Sequence, residues 1–126
     1  MAKRVTPSHR QRIGWWGERE AEKYLLAHGL ELVARNVRTP HGEIDLIMRG
    51  SDGLVFIEVK ARTTESYGLP EDALTAGKRA HILASAEDYL QKLEHPEINW
   101  RVDVVAVRGK PGSNDIEITW FENALA

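Results

Sequence analysis

Asp45, Glu58 and Lys60 lie close together in this chain, and their types and spacing suit them to hold and use a divalent cation. Residues 43–49 and 54–62 read as strands. The Gly50-Ser51-Asp52-Gly53 between them has the composition of a four-residue hairpin loop. Such a loop makes Arg49 face Leu54, so Ile47 faces Phe56, Asp45 faces Glu58 and Glu43 faces Lys60. The other side of the hairpin takes Met48 with Val55, Leu46 with Ile57 and Ile44 with Val59, all apolar. That side seals a core, and a slip of one residue would drive the charged set into it. Two carboxylates facing each other repel, and a cation between them removes the conflict. Oxygen ligands suit Mg²⁺ or Mn²⁺, with water and phosphate completing the shell. Two readings of the charged side stand together. One is this metal site; the other is a solvated strand surface on which Glu43 and Lys60 form a cross-strand ion pair.

Other chemistries find little support. The chain has no cysteine, which excludes a thiol nucleophile, a disulfide scaffold and a cysteine-ligated metal. Its five histidines show no paired ligand spacing of the kind zinc uses. There is no glycine-rich phosphate loop and no Gly-x-Ser-x-Gly elbow. Trp15, Trp16, Trp100 and Trp120 each adjoin a structural element, which favours packing over base stacking.

The elements that must position these residues fit one domain over 13–126. At 126 residues, with 42% hydrophobic and 29% charged residues, the composition is that of a soluble globular protein. No apolar run is long enough for a membrane helix, and the N-terminus lacks the pattern of a secretory signal; a cytoplasmic protein without membrane contact is the expectation. Residues 14–28 read as a helix with Ala21 and Leu25 on its stripe, and Gly29 as a stop. Residues 30–38 form a strand, and the two hairpin strands follow. Pro70-Glu71-Asp72 opens a long helix whose stripe is Ala73, Ala76, Ala80, Leu83, Ala86, Leu90 and Leu93. Residues 99–108 and 116–121 close the chain as strands. The order α-β-β-β-α-β-β gives an α/β domain, a mixed β-sheet flanked by helices.

The net charge of −2 and a pI near 6.2 conceal an uneven distribution. Residues 1–40 hold eight Lys/Arg against four Asp/Glu, whereas residues 41–126 hold nine against fifteen. Residues 1–12 carry Lys3, Arg4, Arg10 and Arg12 without an acid. They read as a flexible basic arm, either a frayed tail or one that orders on a polyanion.

An Asp on one hairpin strand and Glu-x-Lys on the next, between two helices, resembles the PD-(D/E)xK nuclease superfamily. GWWGEREAEKYL, ARNVR, HGEIDLI, VFIEVKAR, YGLPEDAL, RVDVVAV and FENAL together resemble the bacterial YraN-like family within it, over about residues 13–124. Ile44 stands where the superfamily's name-giving proline would precede Asp45. The resemblance implies a restriction-endonuclease-like fold and a Mg²⁺- or Mn²⁺-dependent endonuclease acting on DNA, including branched DNA. It implies Asp45 and Glu58 as metal ligands with the Val59 carbonyl, Lys60 as the catalytic lysine, and Glu18 as a further acid near the metal. Glu43 would support the site as an outer acid or as the partner of Lys60. Arg62 and Lys78, with Arg10 and Arg12 from the arm, are the candidates for nucleic-acid contact. A junction substrate would also suit a homodimer. The rival expectation is a catalytically silent nucleic-acid-binding or adaptor module with the same fold.

Overall fold

A computed structural model describes residues 6–63 and 75–125. Helix α1 spans His9–Ala27. The Ser8 hydroxyl accepts from the Gln11 N–H at 3.1 Å, and the Gln11 side chain accepts from the Ser8 N–H at 2.9 Å. This reciprocal cap satisfies two of the open N–H groups at the helix start and sets it at His9. The flexible arm read over residues 1–12 is therefore corrected. Arg10 and Arg12 lie exposed on the first turn of α1, while Lys3 and Arg4 lie outside the described residues.

Five strands follow the expected order: β1 (Glu31–Thr39), β2 (Gly42–Gly50), β3 (Gly53–Arg62), β4 (Trp100–Arg108) and β5 (Glu117–Phe121). Helix α2 (Ala76–Gln91) lies between β3 and β4 in the chain. The sheet runs β1-β2-β3-β4-β5 in space, antiparallel throughout except for the parallel pair β3–β4. A parallel pair needs a crossover, and the segment carrying α2 supplies it. The helix opening read at Pro70 lies outside the described residues. Thr75 caps α2, its hydroxyl accepting from the Lys78 N–H at 3.2 Å.

The hairpin has the register read from its loop, with Arg49 opposite Leu54, Ile47 opposite Phe56 and Leu46 opposite Ile57. Both faces of the sheet are buried, however. Trp16, Ala21 and Leu25 of α1 cluster with Leu46, Met48, Val55, Ile57, Val105 and Val107. Ala86 and Leu90 of α2 cluster with Ile44, Ile47, Leu54, Phe56 and Val102. The expectation of one sealed side and one charged side therefore holds only near the far end of the hairpin. Ile44 is a second correction, since it joins the α2 cluster rather than the one containing Leu46. Strand alternation breaks between Ile44 and Leu46, at Asp45.

The α2 stripe is corrected as well. Ala76 and Ala80 are exposed, Leu83 is 37% exposed, and the packed row is Ile82, Ala86, Tyr89, Leu90 and Leu93. Ile82 and Tyr89 offer more apolar area to bury than alanines do. Across the sheet, the fully buried Asp103 is a polar peg. It accepts from the Arg101 guanidinium at 3.0 and 3.2 Å, from Trp120 Nε1 at 2.8 Å and from the Asn123 N–H at 2.8 Å. Among the described residues, no helix is long and apolar enough to cross a membrane.

Candidate functional site

Beyond Leu46 and Ile57 the pairing of β2 with β3 stops, although β2 remains paired to β1 and β3 to β4. The Val59 N–H then donates to Asp45 Oδ2 at 2.8 Å. A carboxylate thus takes the place of a backbone acceptor at the fork between the two strands.

Two neighbouring elements bring further acids to this fork. Helix α1 approaches β3 closely at Gly17, where an added Cβ would lie 2.5 Å from the Ala61 Cβ. Only glycine permits that approach, and it places the next residue, Glu18, beside the fork. On β1, Asn36 has φ +48°, a left-handed conformation inside a strand. Its register position falls opposite Asp45, between the pairs Arg35–Leu46 and Val37–Ile44. Its Nδ2 donates to Glu18 Oε1 at 2.9 Å and to Glu43 Oε1 at 3.0 Å. Glu18, Glu43 and Asp45 thereby present carboxylate oxygens that all lie within 4.8 Å of one another.

Electrostatics reflect this crowding. Burial, and then the Glu58 charge, push the Asp45 carboxyl up to about 8, against a smaller opposing effect of the Val59 N–H. Burial also raises Glu18, opposed by its bond from Asn36. Three acids held together, two of them half-buried and Glu43 exposed, are the kind of donor set a hard divalent cation stabilises. The oxygen-only ligands fit Mg²⁺ or Mn²⁺.

The remaining expected residues take distinct places. Lys60 is 8% exposed, and its Nζ lies 3.0 Å from Glu58 Oε1. The expected Glu43–Lys60 pair does not form. Glu43 Oε2 instead stands 3.7 Å from Arg38, because β2 and β3 have separated where the two residues would face each other. For the same reason the ladder does not pair Asp45 with Glu58, although the Glu58 charge is felt at both Asp45 and Glu18. Lys78, in the first turn of α2, lies near Lys60, whose charge is the main cause of its lowered pKa; Glu58 and Arg62 also act on it. Arg62 is exposed at the end of β3 and donates to the Ala61 carbonyl at 2.9 Å. Arg10 and Arg12 are not at the fork; they precede Glu18 on α1 by eight and six residues. Asn36 escaped the sequence reading. Its signal was an asparagine within a strand, one of the few residue types that readily adopt positive φ.

Comparison with known proteins places the chain. The profile of the uncharacterised protein family UPF0102 matches residues 17–107. The chain belongs to this family. It is the family whose resemblance, as YraN-like, is legible in the sequence. A UPF0102 protein of Desulfosudis oleivorans is 41% identical over 119 residues, covering 94% of this chain and 97% of the relative. Another, of Parafrankia sp., is 43% identical over 108 residues, covering 85% and 92%. Among solved structures, Pyrococcus furiosus SfsA in complex with Ca²⁺ aligns over 90% of this chain and 63% of its own, with 14% identity and a TM-score of 0.39. For this UPF0102 chain, the geometry of the fork therefore has to support the functional reading itself.

Proposed function

We propose that this UPF0102 protein is a Mg²⁺- or Mn²⁺-dependent endonuclease that hydrolyses phosphodiester bonds in DNA, including branched DNA. The observation that carries this reading is the convergence of Glu18, Glu43 and Asp45 within 4.8 Å at a strand fork, with the Glu58–Lys60 pair alongside. Asp45, Glu18 and Glu43 are the residues to hold the ion, with Glu58 and the Val59 carbonyl as further ligands. A divalent ion held by these residues would supply an acidified water and charge neutralisation at the phosphate. Lys60 orients that water or stabilises charge developing on the phosphoryl group, and its contact with Glu58 keeps its ammonium at the fork. Lys78 and Arg62 extend the positive edge toward the phosphate backbone. A dimer presenting two such sites fits the two strands of a junction.

The test is cleavage of supercoiled plasmid, flapped DNA and a four-way junction in Mn²⁺. Wild type should nick at least one of them, and Asp45→Ala, Glu58→Ala and Lys60→Ala should each slow nicking by about 100-fold or more. Cleavage of none, or equal cleavage by the folded variants, would refute the reading. Salt-dependent DNA binding without turnover would point instead to a silent binding module.

A further inference from the structure

Beside the acid cluster, α1 and β1 form a groove of about 430 Å³ whose charged lining is Glu18, Arg19, Glu22, Lys23 and Arg35, with Trp15, Asn36 and Leu46 completing its wall. Two of these residues, Glu18 and Asn36, also belong to the cluster or hold it together. A second cavity of about 420 Å³ continues along α1 past Arg12, Ile13 and Trp16. Trp15 and Arg19 line both cavities and form the ridge between them. They are four residues apart, so they stand one above the other on the same helix face. The adjacent tryptophans divide their roles. Trp16 is 6% exposed in the core, whereas Trp15 is 46% exposed.

We propose that this trough binds a single-stranded segment of the nucleic acid next to the scissile phosphate, with an unpaired base stacked on Trp15. The proposal rests on the nuclease reading for the phosphate placed at the acid cluster. An exposed indole offers a stacking surface that accepts any base, and a base paired within a duplex cannot reach it without leaving the stack. From the cluster outward, the track presents acids for a cation-bridged phosphate, then the indole, then the Arg19 and Arg12 guanidiniums for the following phosphates. Lys23 and Arg35 are engaged by Glu20 and Glu22, which leaves Arg19 and Arg12 as the phosphate contacts of the proposal. The volume is of the order of small-ligand sites, about 300–1,000 Å³, so a flipped-out nucleotide fits where a helix would not.

The test is fluorescence anisotropy in Mg²⁺, with all proteins in a Glu58→Ala background that blocks cleavage. The probes are a 12-nucleotide single-stranded DNA, its RNA counterpart and a blunt duplex of the same sequence. Trp15→Ala should weaken single-strand binding by about 10-fold, Trp15→Phe by less than about 3-fold, and duplex binding should change by less than about 2-fold. Arg19→Ala should reduce the salt slope of single-strand binding by about one. The proposal fails if the parent binds neither single strand. It also fails if Trp15→Ala binds like the parent, if it loses single strand and duplex equally, or if Trp15→Phe loses as much as Trp15→Ala. Nicking by wild type of supercoiled plasmid, flapped DNA or a four-way junction is scored separately. Nicking without Trp15-dependent binding refutes the trough alone; Trp15-dependent binding without nicking refutes the chemistry and keeps the trough.

Discussion

At Asp45 the fold works strongly against ionisation. In the unfolded chain its carboxyl ionises near 3.8, whereas in the fold it keeps its proton until about 8. Between those values folding takes up a proton, so stability falls as pH rises, by at most ~1.4 kcal/mol per pH unit from this group. Without added metal, thermal denaturation should therefore give a lower Tm at pH 8 than at pH 5.5, and Asp45→Asn should flatten the difference. A cation competes for the same carboxylates, so Mn²⁺ should raise the Tm at pH 8 far more than at pH 5.5. If the Tm profile of Asp45→Asn matches wild type, the cluster is not the source. Asn36 supplies a second prediction. Asn36→Ala removes donors to two acids and places an alanine at positive φ. It should cost ~1–3 kcal/mol and weaken Mn²⁺ binding about 10-fold or more, read by denaturation and calorimetry. The sequence names Asp45, Glu58 and Lys60 readily, because strand spacing places them. It does not name Asn36, since a left-handed residue inside a strand has no periodic signature. Spacing alone does not join Glu18 to Glu43, 25 residues apart; the family resemblance set Glu18 near the metal, and α1 packing brings the two acids together.

At the scale of elements, the site depends on how α1 lies against β3. Gly17→Ala sets a methyl group 2.5 Å from the Ala61 Cβ, with the Val59 side chain close by at 3.6 Å. The helix has to shift outward, which should cost ~1–3 kcal/mol and carry Glu18 away from Asp45. Its Mn²⁺ affinity should fall more than its helix content, compared by calorimetry and circular dichroism. Unchanged metal affinity would show that α1 can move without disturbing the cluster. The hairpin register was legible because a loop read over Gly50–Gly53 leaves a single pairing, and the structure keeps that register down to Leu46–Ile57, although Gly50 and Gly53 themselves pair and Ser51-Asp52 alone form the turn. Extrapolating that register three more steps produced the Glu43–Lys60 pair and, on the way, put Ile44 on the wrong face. Pairing rules hold only while the strands stay bonded, and here a side chain takes over from the ladder. The start of α1 was missed by five residues, because the capping box of Ser8 and Gln11 precedes any apolar periodicity.

In the whole molecule, two sets of acids are held in different ways. Among the described residues Glu18 and Asp45 at the fork form no ion pair, whereas Asp103 is fully satisfied by Arg101, Trp120 and Asn123. The first arrangement stores electrostatic conflict that a ligand can relieve; the second ties β4 to β5 and the C-terminal segment. Asp103→Ala should therefore lower stability by ~3–5 kcal/mol, since it leaves the half-buried Arg101 without its main partner. It should leave Mn²⁺ affinity of the folded protein within about 3-fold, measured by denaturation and by calorimetry below the Tm. A large loss of affinity would mean that the two regions are one network. The chain order of the strands and the presence of both helices were readable from periodicity. The burial of both faces was not, because Ile47 and Phe56 give a mixed strand face no clear assignment until α2 is seen to cover it.

Glu18, Glu43 and Asp45 come from two separate stretches of chain, and the missing methyl group at Gly17 lets the first reach the other two. Until the helix has docked, a nascent chain presents a pair of acids rather than a set of three. The set of three acids therefore exists only once the first helix has met the sheet, and any property that needs all three belongs to the folded molecule alone.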